Sequence, residues 1–268
     1  MPRFTANLST LFQEIPLEQR FKAAAKAGFK GVEYLFPYDC DRNLFADLLA
    51  EANLPLILMN APCGNWDHQQ RGLACQPDCI ERFQTSIGQA IEYASTVGCT
   101  NIHVMSGINP ENVAKEVVLS TYADNLLFAA KAGDDAGIKI LIEPINPIDM
   151  PGYLLNSTVM ARAIMGVVNH HNLFLQLDLY HTLMNSENVF DAVNSNLDKI
   201  AHMQMASVPG RHEPNIGNFN YTLIFEHLDM IGYNGWIGCE YQPLKSTLQG
   251  LGWASIYGIG DRFISVTS

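Results

Sequence analysis

Short apolar runs with strand character recur along the chain at intervals that suit one strand followed by one helix. There are eight such runs, at residues 3–9, 31–35, 55–62, 101–107, 139–146, 173–181, 200–207 and 235–243. Between several of them the apolar positions follow the helical period of about 3.6 residues, and a glycine often closes the segment. This pattern predicts helices over residues 17–29, 80–98, 114–137 and 220–232. Strict alternation of strands and helices implies a parallel sheet, so eight units predict an α/β fold of the (β/α)8 TIM-barrel type, with residues 1–268 as a single domain.

One predicted connection is much longer than the others. Residues 63–79 follow the third predicted strand, and loops after strands lie on the catalytic face of such a barrel. Long loops within compact domains are often functional. Trp66 and Arg71 are unusual residues to expose in a passive insertion. We therefore predict a lid over the active site, with a passive insertion as the alternative.

The composition changes this picture little but excludes several classes of protein. Hydrophobic residues make up 48% of the chain, and no apolar run approaches the roughly 20 residues that span a bilayer. The formal charge of -11 opposes attraction to phosphate backbones. The first residues lack the apolar core and cleavage site of a signal peptide. We expect a cytoplasmic protein that binds neither membranes nor nucleic acid.

The six cysteines are scattered and contain no CxxC pair, which suits reduced thiols better than a disulfide framework. Cys63, Cys75 and Cys79 lie close together in the sequence, so a zinc or redox site is the alternative. A structural zinc site needs a further pair of ligands, and the sequence shows none nearby.

Polar residues follow four consecutive predicted strands at the point where each strand ends. They are Glu143, Asp178, Gln204 and Glu240, each separated from the next by about one strand-helix unit. Because strand ends carry the chemistry in this fold, these side chains can converge. Three carboxylates in one apolar rim would repel one another unless a cation lies among them. Carboxylate and amide oxygens favour a hard ion, so we predict a Mg²⁺ or Mn²⁺ site, with four separate strand caps as the alternative.

Other polar residues have more than one interpretation. His103 lies on the fourth predicted strand and could hold a substrate hydroxyl or a neighbouring carboxylate, while His181 could meet a substrate oxygen or belong to a loop. His202 shares strand parity with Gln204, and we interpret it as a hydrogen-bonded core histidine rather than a ligand. Glu33 and Asn7 support the pocket floor or cap their strands.

The loop after the seventh predicted strand, SVPGRHEPNIGNFNY, contains a candidate for substrate binding, Arg211. Arg211 can clamp an anionic substrate group through two parallel hydrogen bonds, a geometry that lysine cannot reproduce. His212 and Glu213 would then orient it, although a solvated charged turn has the same spacing. The sequence contains no GxGxxG, GxxxxGK[ST] or GxSxG motif.

The segments that carry these residues resemble a known family. MPRFTANLSTLF, GVEYLFPYD, RGLA, IHVMSG, LIEPIN, QLDLYH, HMQMASVPGRHEP and GWIGCEYQP occur in order over nearly the whole chain. Together they resemble the hydroxypyruvate isomerase family of xylose-isomerase-like TIM barrels, and they are similar to the related 2-oxotetronate isomerases. More distant sugar isomerases and epimerases often use a metal-binding histidine on strand seven. This chain has Gln204 there, beside His202, which favours the narrower family.

The resemblance implies a divalent metal held by Glu143, Asp178, Gln204 and Glu240, with Glu143 and Glu240 as the two proton donors and acceptors. It implies interconversion of hydroxypyruvate and tartronate semialdehyde through an enediolate. His103, His181 and Arg211 would bind the substrate, a small 2-oxo or hydroxy acid. The sequence leaves open a homo-oligomer.

Four alternatives to hydroxypyruvate isomerisation remain open. They are 2-oxotetronate isomerisation, sugar 3-epimerisation, endonuclease action on abasic DNA and non-catalytic binding. The acidic charge and the carboxylate-led cluster disfavour the endonuclease, which would require a histidine-rich zinc site and a basic groove.

Overall fold

The computed structural model describes residues 1–66 and 70–260 of the chain. Within those ranges eight parallel strands pair in chain order, and the first also pairs with the last, so the sheet closes into a barrel. The predicted (β/α)8 fold is therefore confirmed, while residues 261–268 of the predicted domain lie outside the described residues. The strands are β1 Arg3–Asn7, β2 Val32–Tyr34, β3 Leu56–Asn60, β4 Asn101–His103, β5 Lys139–Ile142, β6 Leu173–Asp178, β7 Ile200–Met205 and β8 Trp236–Cys239.

Helices lie between successive strands, and one short α-helix follows the last strand. They are α1 Leu17–Ala27, α2 Arg42–Ala52, α3 Ile80–Val97, α4 Lys115–Asp135, α5 Thr158–Val168, α6 Leu179–Met184, α7 Val189–Asn196, α8 Tyr221–Met230 and α9 Thr247–Gly250. Local signals set several of their ends. The Asp41 carboxylate accepts from the first backbone N–H groups of α2, and Gly28 ends α1 at a φ of 105°. A side chain at Gly28 would also meet the Gly258 carbonyl oxygen, so this helix end requires glycine. No helix in the described ranges is both long and apolar enough to cross a membrane.

Several strands are shorter than the apolar runs that predicted them. The runs at 101–107, 139–146 and 235–243 contain strands of only three, four and four residues. After β5 the chain reaches Glu143 and Pro144, and a proline has no N–H to continue the hydrogen-bonded ladder. The apolar residues beyond the strands are buried in loops instead, as Ile145 shows. Glu143 and Glu240 therefore lie one residue beyond their strands.

The barrel interior contains polar side chains as well as apolar ones. Fully or almost fully buried polar groups come from β1, β2, β6 and β7: Thr5, Asn7, Glu33, Gln176, Asp178, His202 and Gln204. The strand register aligns Asn7 with Glu33, and Asp178 with Gln204. Buried polar groups need partners, so this interior predicts a connected hydrogen-bond network below the carboxyl ends of the strands.

Candidate active site

A cavity of about 390 Å³ opens at the carboxyl ends of the strands. Loops after several strands form its walls, and apolar side chains such as Phe36, Met105 and Ile145 alternate there with polar groups. A concave, largely apolar cavity with a few converging polar groups is typical of a small-molecule site. Five of the predicted site residues line it: His103, Glu143, His181, Arg211 and Glu240.

Two of the predicted acids are fixed by the way their strands end. Glu143 follows β5 directly and is 5% exposed. Asp178 ends β6 and caps α6, where its carboxylate accepts from the Tyr180 N–H at 2.8 Å. An aspartate at this position satisfies an otherwise free helix donor, which explains why the strand turns into a helix there. Glu143, Asp178 and His181 each bring one potential ligand atom within 4.8 Å of the other two.

Arg211 joins Asp178 to Glu240, the residue that follows β8. Its guanidinium lies 3.0 Å from Glu240 Oε1 and 3.4 Å from Asp178 Oδ2, above the Tyr180 ring. The backbone of Arg211 has a left-handed φ of 54°, which is unusual for a residue with a side chain. Its N–H donates to the Ser207 carbonyl, and its own carbonyl accepts from Gln242. These bonds hold the loop so that the arginine faces the cavity rather than solvent.

The carboxyl groups of the site have raised pKa values. Burial raises the pKa of Glu240 to about 7 and that of Asp178 to about 6, although nearby Arg211 opposes both increases. Burial also raises the pKa of Glu143 well above its usual range, and repulsion from Glu240 and Asp178 adds to the increase. Carboxyl groups with such pKa values can hold or release a proton near neutral pH, as general acids and bases must.

His181 has a defined tautomer because Asn146 fixes it. The Asn146 Oδ1 accepts from the backbone N–H groups of Ile148 and Asp149, which leaves Nδ2 facing His181 Nδ1 at 2.7 Å. Nδ1 is therefore an acceptor, and the ring proton lies on Nε2, which is 3.6 Å from Asp178 Oδ2. Burial lowers the pKa of His181 well below its usual value. A neutral imidazole that presents an N–H to the cavity suits hydrogen bonding to a substrate oxygen better than metal ligation.

His103 has a comparable but less restrained position. Its Nδ1 lies 3.3 Å from Asn60 Oδ1 and 3.6 Å from Glu143 Oε2, while Nε2 is buried and has no hydrogen-bond partner in the described part of the chain. Burial lowers the pKa of His103 to about 3, so the ring is neutral at neutral pH. The structure thus places His103 beside the Glu143 carboxylate and at the cavity wall. Its contact with a substrate hydroxyl group stays a prediction.

Gln204 and His202 occupy the barrel interior beside the cavity. The Gln204 amide donates to Glu33 at 2.9 Å and accepts from Gln176 at 2.6 Å. His202 is fully buried and lies 2.8 Å from the same Glu33 carboxylate, as expected of a hydrogen-bonded core histidine. Glu33 therefore forms part of the hydrogen-bonded floor below the cavity and does not simply cap its strand.

The donor set fits a hard divalent cation. Glu143 Oε1 is buried and has no hydrogen-bond partner among residues 1–66 and 70–260, so these residues leave one carboxylate oxygen of the cluster unsatisfied. The neighbouring predicted ligands, Asp178, Gln204 and Glu240, also offer oxygen atoms, which Mg²⁺ and Mn²⁺ prefer.

The cysteine alternative fails on its geometry. Cys63, Cys75 and Cys79 do not form a potential ligand group in residues 1–66 and 70–260. Cys75 instead lies 3.5 Å from the Ile108 carbonyl oxygen, and Cys79 lies near Arg82. All six cysteines are free thiols.

The predicted lid is described except for residues 67–69. Trp66 lines the cavity, and the Arg71 guanidinium stacks over its ring at 3.7 Å. Phe36 also lines the cavity, and its ring centroid lies 6.0 Å from that of Trp66. An aromatic residue held at the entrance can exclude water from the cavity. The function of the loop after β3 as a lid stays a prediction.

Three residues of the site were missed by the sequence analysis. Gln176 lines the cavity, Asn60 contacts His103, and Asn146 orients His181. Gln176 could have been found, because it lies two residues before Asp178 on one strand and therefore faces the same side. Asn60 ends β3 in the same way that Asp178 ends β6. Asn146 gave no such signal, because its function depends on a loop conformation.

Comparison with known proteins agrees with this fold. Residues 21–256 match the family described as xylose isomerase-like TIM barrel. The chain is 45% identical to the 2-oxo-tetronate isomerase of Cupriavidus necator, over 96% of this chain and 99% of that protein. It is 39% identical to the hydroxypyruvate isomerase of Escherichia coli, over 96% and 100% of the two chains. Among solved structures, a Brucella melitensis protein described as an AP endonuclease of family 2 is 40% identical, with a TM-score of 0.93 over 96% and 99% of the two chains.

Proposed function

The chain belongs to the xylose isomerase-like TIM-barrel family and is an isomerase of that family, and on this premise we propose that it isomerises short 2-oxo acids with a hydroxyl group on C3. Hydroxypyruvate and tartronate semialdehyde are the three-carbon pair of this reaction. The observation that carries the proposal is the set of buried carboxyl groups with raised pKa values around one guanidinium and two neutral histidines.

The reaction needs two groups that exchange protons with adjacent carbons. One glutamate, as carboxylate, removes a proton from C3, and the electron pair forms a C2–C3 double bond while the C2 oxygen becomes negative. The other glutamate, in its acid form, gives a proton to C2, and the C3 hydroxyl proton passes to the C2 oxygen. We assign these functions to Glu143 and Glu240, which exchange them with the direction of reaction. Burial raises the pKa values of both groups in the metal-free protein, and a bound cation would lower them.

We assign Glu143, Asp178, Gln204 and Glu240 to a divalent cation, Mg²⁺ or Mn²⁺. When bound, it would supply positive charge beside the substrate oxygens, where negative charge develops. His181 Nε2 would donate a hydrogen bond to a substrate oxygen, whereas His103 Nε2, the nitrogen without a proton, would accept one from a substrate hydroxyl group. Arg211 lines the cavity and has guanidinium N–H groups beyond the one that contacts Asp178 and Glu240, so it can also bind the substrate carboxylate.

The length of the substrate is the open choice. Three relatives named 2-oxo-tetronate isomerase are 40% to 45% identical to this chain, against 39% for the hydroxypyruvate isomerase. A cavity of about 390 Å³ has room for a fourth carbon with its hydroxyl group. These two observations favour 2-oxo-tetronate over hydroxypyruvate, the substrate implied by the sequence resemblance. The chemistry at C2 and C3 is the same for both.

Nuclease action on abasic DNA has less support, although one similar structure is described as an AP endonuclease. The predicted metal ligands here are three carboxylates and one amide, and the nearby His181 presents its protonated nitrogen. The chain also carries a formal charge of -11. Both features oppose binding of a polyphosphate backbone.

The test is proton NMR of both 2-oxo acids in D2O, with Mn²⁺-free protein supplemented with Mg²⁺ or treated with chelator. We expect Mg²⁺-dependent product that carries solvent deuterium on C2, with a higher kcat/KM for 2-oxo-tetronate. Glu143→Gln and Glu240→Gln should each lower kcat by at least about a hundredfold, because each removes one proton-transfer group. Glu226→Gln, an exposed substitution on α8, is the matched control and should keep full activity.

Two outcomes would contradict the proposal. Product without deuterium on C2 would indicate a hydride shift between carbons instead of proton transfer through the glutamates. Absence of both exchange and product with either acid, in protein that binds Mg²⁺, would exclude this substrate class and favour neutral ketoses.

A further inference from the structure

Glu33 is a buried acid that the reaction above does not use. It is fully buried on β2 and is not among the side chains that line the cavity. Within the described part of the chain no lysine or arginine forms an ion pair with it. Burying a carboxylate away from water and without a cation is costly, so its surroundings must stabilise it in another way.

Four hydrogen-bond donors from two strands surround this carboxylate. Thr5 Oγ1 and Asn7 Nδ2 approach from the neighbouring β1, and His202 Nε2 and Gln204 Nε2 approach from β7 on the far side of the barrel at 2.8 and 2.9 Å. The side chain thus reaches across the barrel interior. Charge-assisted bonds of this kind are stronger than neutral ones and offset the cost of burial.

The space for this reach is provided by a glycine on β8. A Cβ atom at Gly238 would collide with the Glu33 carboxylate, which would have to move out of its present position. Gly238 is also aligned with Gln204 in the strand register. The glycine therefore leaves the Glu33 carboxylate free to approach the Gln204 amide.

This contact decides which atom Gln204 presents elsewhere. A carboxylate oxygen accepts hydrogen bonds, so only the amide nitrogen of Gln204 can face Glu33. The Gln204 Oε1 then lies on the other branch of the amide, where it accepts from Gln176 at 2.6 Å. Without Glu33 the two branches of the amide, which are nearly equal in size, could exchange places. If the amide nitrogen took the place of Gln204 Oε1, its N–H groups would repel a cation rather than bind it.

We infer that Glu33 is a positioning residue that makes Gln204 an oxygen donor to the divalent cation. The inference rests on the proposed cation site and adds to it a residue that touches neither substrate nor cation. Outer partners that fix a metal ligand typically change metal affinity by about 10-fold to 100-fold when they are replaced. A carboxylate that merely stabilised the barrel core would change the unfolding temperature but would not act through Gln204.

The test is a double-mutant cycle on Mn²⁺ affinity, measured from the EPR signal of free Mn²⁺. Asp134, His170 and His171 form a second potential ligand group outside the cavity, so every variant should also carry His171→Ala to remove it. We expect Glu33→Gln to weaken Mn²⁺ binding about tenfold or more, because glutamine can donate to the Gln204 oxygen and permits the reversed amide. In a Gln204→Leu background the same change should have no further effect.

Each other outcome contradicts the inference in a distinct way. Unchanged affinity in Glu33→Gln, or equal weakening in both backgrounds, overturns the positioning function of Glu33 and leaves the cation site intact. A parent protein that binds no Mn²⁺ overturns the cation site and the inference together. If Glu33→Gln does not fold, Glu33→Asp provides the same cycle, because a shorter carboxylate keeps the charge and loses its reach to Gln204.

Discussion

At the scale of single residues, surroundings rather than residue type set the chemistry of each acid. Glu240 and Glu33 are both buried glutamates. Glu240 has one guanidinium at 3.0 Å and faces the cavity, and burial raises its pKa to about 7. Glu33 has four donors and is not among the side chains that line the cavity. The first arrangement permits exchange of a proton, and the second holds a charge in place.

The raised pKa of Glu240 predicts how the stability of the metal-free protein depends on pH. The folded protein keeps the Glu240 proton up to about pH 7, whereas the unfolded chain loses it near 4.5. Between these values, therefore, rising pH favours the unfolded chain, and wild type loses stability relative to Glu240→Gln, which has no proton to release. We expect the variant's advantage in free energy of unfolding to grow by about 1–3 kcal/mol from pH 5 to pH 8.

Urea denaturation of chelator-treated protein at several pH values measures this difference. Exposed Glu226→Gln is the control, and its difference from wild type should not change with pH. An advantage of Glu240→Gln that stays constant or shrinks as pH rises would mean that the Glu240 carboxyl is ionised throughout this range.

At the scale of elements, the barrel strands hold their side chains in fixed positions, whereas the loops after the strands differ in how firmly they are attached. The loop after β7 is tied to the chain after β8 through the Arg211 carbonyl and Gln242. The loop after β3 has weaker attachments at the cavity mouth, where Trp66 is 47% exposed and contacts Arg71 and Phe36. The loop after β3 is therefore the one from which we expect substrate-dependent movement.

Trp66 should contribute to substrate capture rather than to proton transfer. A cation–π contact at an exposed position is worth about 0.5–1 kcal/mol, and loss of the ring also opens the cavity mouth to water. We expect Trp66→Ala to raise KM about threefold to tenfold with a smaller effect on kcat, and Trp66→Phe to retain most of the wild-type KM. Steady-state kinetics with both 2-oxo acids measure these values. A loss confined to kcat would indicate that the loop contributes to the chemical step instead.

At the scale of the whole molecule, closure of the barrel brings together residues that are far apart in sequence. Strands β5 to β8 each contribute one predicted ligand, and β2 contributes the acid below them. A cation that binds the folded barrel and not the unfolded chain stabilises the whole molecule.

We therefore expect Mn²⁺ to raise the thermal unfolding temperature. At about 100 times its dissociation constant, the ion adds about 2.7 kcal/mol, which corresponds to an increase of roughly 5–10 °C for a protein of this size. Differential scanning calorimetry at pH 8 with and without chelator gives the shift. Asp178→Asn should abolish most of the increase, and an equal shift in that variant would place the bound ion elsewhere.

The sequence was sufficient to predict the barrel and five of the polar side chains that line the cavity, because the strands and the positions of their ends follow from periodicity. Eight apolar runs predicted eight strands, and the polar residue at the end of each of the last four is where the structure has it. The loops could not be predicted in this way. The tautomer of His181 depends on two backbone N–H groups that fix Asn146, and the contacts of Arg211 depend on a left-handed turn. The contact between Glu33 and Gln204 could not be predicted either. The two residues lie five strands apart in chain order, and only the closed barrel brings them together.

The position of Arg211 has a consequence for whether the protein can fold before it binds a metal ion. Its guanidinium bridges Asp178 and Glu240, so two of the acids already have a counterion that belongs to the chain. A small zinc domain, in contrast, stays unfolded until its ion arrives, because nothing else offsets its ligands. If the proposed cation binds here, synthesis and folding would finish first, and the ion would be acquired, exchanged or withdrawn afterwards. Activity would then follow the supply of metal in the cell while the amount of folded protein stays the same.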